Sequence, residues 1–153
     1  MLALACMSPS PKRGLRKPLV ELLVEKCGCD VNELTSVSLH AFGTRVLEVG
    51  ATPLMAAVFN GEGDLVEYLL SKGASALTAD SKGTTALHYI SGPQWDASRE
   101  GALGWSPKKD ALEIGRLLLQ AGANPDAPNM KGITSRDLAR QHFPEILSIF
   151  DCA

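Results

Sequence analysis

The feature that most constrains this chain is that it repeats itself. Gly50-Ala-Thr-Pro-Leu-Met-Ala-Ala57 is echoed by Gly83-Thr-Thr-Ala-Leu-His-Tyr-Ile90, with Thr52 and Thr85 offset by 33 residues. A third echo, Gly132-Ile-Thr-Ser-Arg-Asp-Leu-Ala139, begins 49 residues after Gly83. A second block recurs too. Leu65-Val-Glu-Tyr-Leu-Leu-Ser-Lys-Gly-Ala74 matches Ile114-Gly-Arg-Leu-Leu-Leu-Gln-Ala-Gly-Ala123, and more loosely Leu19-Val-Glu-Leu-Leu-Val-Glu-Lys-Cys-Gly28. Gly73 and Gly122 are again 49 apart, so two independent landmarks agree on one extra segment of 16 residues between them. A period in this range marks a stacked array of small units.

Each unit reads as two short helices. Thr52 is a suitable N-cap, and Pro53 is tolerated at the first helical position, where its missing N–H costs nothing. Leu54, Ala56, Ala57 and Val58 make a short apolar helix, and Asn60-Gly61 ends it. Leu65, Val66, Leu69 and Leu70 fall on one face of a second helix. Gly73 stops that helix with a left-handed residue, and Thr78–Gly83 turns the chain back toward the next unit. A unit this small cannot bury its own apolar faces. Stacking does it, at roughly 25 cal/mol per Å² of apolar surface removed from water.

These residues resemble the ankyrin repeat, whose pattern runs DxxGxTPLHLAAxxGxxxxVxxLLxxGADVN. Asp80-Ser-Lys-Gly-Thr-Thr-Ala-Leu-His88 carries the opening, and Gly28-Cys-Asp-Val-Asn32, Gly73-Ala74 and Gly122-Ala-Asn-Pro-Asp126 carry the end. The resemblance implies an all-α solenoid of helix-turn-helix units joined by β-hairpin-like loops. The chain is expected to be one domain, 1–153, of about four repeats near 1–32, 33–76, 77–126 and 127–153. The last repeat is expected to carry a polar outer surface through Arg136, Asp137 and Arg140.

Three insertions depart from a regular array: 8–17, 33–49 and 92–109. The alternation of Leu34, Ser36, Ser38 and His40, then Val46 and Glu48, predicts a two-stranded finger with its tip near Gly43. The third insertion holds both tryptophans, Trp95 and Trp105, and no helical period runs through it. Either the indoles fold back to seal the loop, or they form a partner-binding anchor, Trp being frequent among hot spots.

Little in the chain points to catalysis. The three histidines are scattered, and no GxGxxG, P-loop, HExxH or nucleophile elbow is present. In the family, the residue matching His88 is structural and bonds nearby Thr and backbone groups. Glu62, Asp64 and Glu67 lie near a helix start, where negative charge complements the dipole. Cys27-Gly-Cys29 has no second pair to complete a zinc site. The expectation is therefore no enzyme, no cofactor and no metal. The net charge of −2, from 15 basic and 17 acidic side chains, gives no reason to expect nucleic acid or a membrane as the partner. A single basic cluster, Lys12, Arg13, Arg16 and Lys17, reads as a solvated loop. Four cysteines without a disulfide pattern suggest an intracellular protein, cytoplasmic or nuclear.

The resemblance implies a monomeric scaffold or adaptor module that binds another protein through its concave face. An alternative is a regulatory or substrate-recruiting arm of a larger multidomain enzyme. The family's variable positions transfer to Glu48, Val49, Ala51, Phe59 and Asn60, then Ser81, Lys82 and Thr84, then Met130, Lys131 and Ile133, with Trp95 and Trp105 at the edge. Phe59 is an aromatic at a normally exposed site; the other reading packs it under the 33–49 finger.

Overall fold

The computed structural model describes residues 1–7, 16–40, 46–92 and 107–151. Four helix pairs follow one another: α1 (Leu2–Met7) with α2 (Arg16–Glu25), α3 (Pro53–Asn60) with α4 (Gly63–Ser71), and α5 (Ala86–Ser91) with α6 (Pro107–Gln120). The last is α7 (Ser135–His142) with a 3-10 turn (Pro144–Ile146) running into α8 (Leu147–Phe150). The first helices stack as α1, α3, α5, α7, and the second helices stack behind them as α2, α4, α6, α8. This is the solenoid that the repeats predict. One continuous apolar seam runs through it, with Leu2, Leu54, Leu87 and Ile90 in the inner row and Val20, Leu65, Leu69, Ile114 and Leu118 in the outer row.

The helix starts follow from local chemistry that recurs in three units. Thr52, Thr85 and Thr134 occupy equivalent N-cap positions with nearly identical backbone angles, φ −94, −93 and −94°. In each, the side chain three residues on accepts the cap's own N–H: Met55 Sδ at 3.5 Å, His88 Nδ1 at 3.2 Å and Asp137 Oδ2 at 3.1 Å. One reciprocal box is thus built from a thioether, an imidazole and a carboxylate. At the other end of α3, Gly61 caps in the left-handed region at φ 70°, and its N–H reaches back to Ala57 and Val58.

The finger is present at its base. β1 (Leu39–His40) pairs antiparallel with β2 (Val46–Leu47), and below it Thr35 and Ala51 exchange bonds, Thr35 N–H donating to Ala51 O at 3.0 Å. Its expected tip near Gly43 lies outside the described residues. Apart from this hairpin, the described elements are helical.

Two insertions are shorter in helical terms than the sequence suggests. α6 begins at Pro107, so the last residues of the 92–109 segment are helical, with proline at the position that tolerates it. α2 begins at Arg16, so Arg16 and Lys17 are not in a loop. Arg16 pairs with Glu62 of α4, and both side chains are about nine-tenths buried. A charge read as solvated is instead an ion pair across the first two repeats. Lys12 and Arg13 lie outside the described residues.

Candidate functional site

The candidate surface is built on the turns that lead into α3, α5 and α7. Asp80 shapes the middle turn: Oδ1 accepts the N–H groups of Lys82 at 2.8 Å and Thr84 at 2.9 Å. Asn129 repeats the arrangement with Lys131 at 2.9 Å and Ile133 at 3.1 Å. Such side-chain-to-backbone turns are what Asp and Asn do best. The tips are also bonded to each other. Ser81 N–H donates to Val49 O at 2.8 Å, and Met130 N–H donates to Lys82 O at 3.0 Å. They approach so closely that a Cβ on Gly83, which sits at φ 73°, would lie 3.0 Å from the Met130 nitrogen.

On this backbone the expected site residues divide. Val49, Ser81, Lys82, Met130 and Lys131 are exposed, with Val49 39 % and Met130 77 % accessible. Glu48, Thr84 and Ile133 are half-buried. The Glu48 carboxylate pairs with the Lys82 ammonium across neighbouring tips.

Three expected positions are instead committed to the scaffold. Ala51 is fully buried because the segment at Thr35 covers it, pairing with its N–H and its C=O. Phe59 is only 8 % exposed, so it is not the exposed aromatic of the first reading. Its ring meets the edge of Tyr89 in the next repeat, centroids 5.9 Å apart at 76°. Asn60 bridges the first two repeats, its Nδ2 donating to Cys6 O at 2.8 Å and Ala56 O at 3.2 Å. Trp95 and Trp105 lie outside the described residues. Conversely, Val37 and Leu77 are more than half exposed, isolated apolar residues in loop sequence that no periodic signal marks, and Leu34, equally exposed, carries only the alternation of the finger.

Behind the tips is a buried polar network. Tyr89 O–H donates to Asp80 Oδ2 at 2.7 Å, and Glu48 N–H reaches the same hydroxyl at 3.4 Å. Burial, then the bond to Asp80 and its charge, push the Tyr89 phenol well above its usual range. His88 is 1 % exposed. Its Nδ1 accepts from Thr85 N–H, so the proton is on Nε2, which donates to Ile133 O at 3.1 Å in the next repeat. Desolvation holds its pKa below 6.5, as suits a structural imidazole. His142 is half-buried near the end of α7.

Chemistry elsewhere is sparse. Cys6 is buried, and desolvation followed by the Glu62 charge raises its thiol to about 12, which leaves it protonated. A cleft of about 90 Å³ between Lys17, Glu62, Asp64, Asp110 and Glu113 opens beside the start of α4, away from the tips. It is well below the several hundred Å³ of a typical small-molecule site. Among the described residues no three His, Cys, Asp or Glu side chains are placed to hold a metal, and no helix is long and apolar enough to cross a membrane.

Comparison with known proteins agrees with this architecture. The ankyrin-repeat domain of Bcl-3, described as a unique member of the IkappaB protein family, superposes with a TM-score of 0.58 and 26 % identity, over 84 % of this chain and 45 % of that one. Phosphocholine transferase AnkX of Legionella pneumophila is 34 % identical over 88 residues, which is 58 % of this chain and 9 % of that protein. This chain therefore spans under half of the solved domain and under a tenth of the transferase. The family model for ankyrin repeats (3 copies) matches residues 2–129, and the chain belongs to the ankyrin-repeat family.

Proposed function

We propose that the row of turn tips, with the inner helices behind it, binds a segment of another protein. Val49 and Met130 supply apolar contacts, and Glu48, Ser81, Lys82 and Lys131 supply a polar rim. Thr84 and Ile133 line the base. Trp95 and Trp105 remain candidate anchors for the same partner. Ala51, Phe59 and Asn60 act indirectly, by fixing the helices that carry the tips. The single observation that carries the reading is the division of labour at the tips: their backbone is bonded from one repeat to the next, yet the side chains of Val49, Ser81, Met130 and Lys131 stay exposed. Ankyrin repeats are in general protein-interaction modules, so the chemistry of the surface and the habit of the family point the same way.

The chain is read as four repeats in one domain, non-catalytic, and intracellular in the cytoplasm or nucleus; the free thiols at Cys6, Cys27 and Cys29 suit a reducing compartment. A second reading is a recruiting or regulatory arm of a larger enzyme. It is favoured by the match to a short part of a phosphocholine transferase.

The test is affinity capture with wild type beside a Val49→Asp/Met130→Asp variant. Both residues are exposed, so the helical circular dichroism should be unchanged while partner capture falls at least tenfold, about 1.4 kcal/mol. Capture that is unaffected by the pair refutes the proposed surface.

A further inference from the structure

One buried side chain supports two of the tips at once. Tyr89 of α5 stands where the preceding repeat has Ala56 and the next has Leu138, so neither neighbour carries its hydroxyl. Its ring lies edge-on to Phe59 of α3, and only 7 % of the residue is exposed. Held in this way, the hydroxyl donates to Asp80 Oδ2 at 2.7 Å and accepts from the Glu48 N–H at 3.4 Å. Asp80 shapes the tip at Ser81 and Lys82, and Glu48 belongs to the tip before it.

The fourth repeat shows what the hydroxyl supplies. Asp80 and Asn129 are equivalent, and each accepts two tip N–H groups on a single oxygen. Asp80 is 6 % exposed, whereas Asn129 is half-buried. A carboxylate can only accept, and burying one is costly unless its oxygens find donors. Tyr89 gives the second oxygen a charge-assisted bond. Asn129 carries no charge, and Leu138, the equivalent of Tyr89, brings no hydroxyl. The chain thus pairs Asp with Tyr in one repeat and Asn with Leu in the other.

We propose that Tyr89 is a positioning residue for the tip surface. From behind, its hydroxyl fixes the tip at Glu48 and Val49 against the tip at Ser81 and Lys82. It thereby sets the backbone that presents the exposed side chains and the Glu48–Lys82 ion pair. The inference rests on the partner-binding reading of the tips for its purpose, and on the hydrogen bonds for its geometry.

The test is amide hydrogen exchange, read by NMR, on Tyr89→Phe, which keeps a ring against Phe59. Exchange at Lys82 and Thr84 should quicken about tenfold or more, while Lys131 and Ile133, in the turn built without a hydroxyl, keep their wild-type rates. A general loss of stability would speed both turns alike. Adding Asp80→Asn, which copies the fourth repeat, should restore most of the protection at Lys82 and Thr84. Unchanged exchange at those two amides, or equal quickening in both turns, overturns the proposal. Should Tyr89→Phe lose its helical signal, wild type provides the readout. In mixed light and heavy water a slowly exchanging Tyr89 hydroxyl splits its ring Cζ resonance in two, beside the single line of Tyr68, whose hydroxyl bond to Glu25 is exposed. A single averaged line from Tyr89 overturns the proposal. Partner capture separates this inference from the reading beneath it. Tyr89→Phe should lower capture severalfold. Capture indifferent to Tyr89→Phe yet lost with Val49→Asp/Met130→Asp overturns the positioning role alone, and capture indifferent to both refutes the surface and the positioning role with it.

Discussion

Gly83 and Gly132 provide a matched pair for testing how tightly the turn tips are stacked. Both sit at φ 73° in equivalent turns. An alanine at either position incurs the left-handed penalty, about 1–2 kcal/mol. A Cβ on Gly132 would meet nothing within 4 Å, whereas one on Gly83 would lie 3.0 Å from the Met130 nitrogen and 3.2 Å from the Asn129 Cα. Those atoms are backbone and have no rotamer by which to retreat. In the difference between Gly83→Ala and Gly132→Ala the conformational cost cancels, leaving the clash between repeats. Overpacking of this kind costs about 1–3 kcal/mol. Gly50→Ala, whose nearest contact is Ser81 N at 3.3 Å, should fall between them. Urea unfolding followed by circular dichroism reads the order directly, and equal m-values identify loss of stability as the cause. If Gly83→Ala and Gly132→Ala cost the same within a few tenths of a kcal/mol, the tips are not packed as closely as described.

Two further outcomes follow from the buried polar groups. Arg16→Ala should destabilise the first two repeats by about 3 kcal/mol, because it takes the guanidinium away from the buried Glu62 carboxylate, and Arg16→Met with Glu62→Leu should recover most of the loss; urea midpoints of the single and double variants decide it. For His88, the folded pKa lies below the unfolded value of 6.5, so as pH falls the unfolded chain takes up the proton first. Stability from this group is full above about pH 6.5 and is lost as pH drops from there toward the folded value. Denaturation at pH 7.5 and 5.5 should show the decline, and His88→Gln should flatten it.

Much of the fold was legible because its signals are local. A threonine cap, the acceptor three residues on, and a glycine that accepts positive φ are all set within a few positions, so Thr52, Thr85 and Thr134 announce their helices. The exposed tip residues Val49, Lys82 and Met130 followed from the same register. What was not legible depends on contacts between repeats. The burial of Phe59 depends on Tyr89, thirty residues on, standing where the preceding repeat has alanine. Arg16 looked like a loop charge because its partner Glu62 is 46 positions away. Ala51 is covered by the base of the finger, and an alternation in sequence says that strands pair without saying what lies beneath them.

The main-chain bonds between the tips also act as a ruler. Because Ser81 holds Val49 and Met130 holds Lys82 through main-chain hydrogen bonds, the distance between the outermost side chains is set by the backbone. On the proposed function, a protein segment that contacts one tip would find the next at a fixed separation, already in place. Two contacts that are feeble alone then multiply through effective concentration, and a ligand of the wrong length loses that gain.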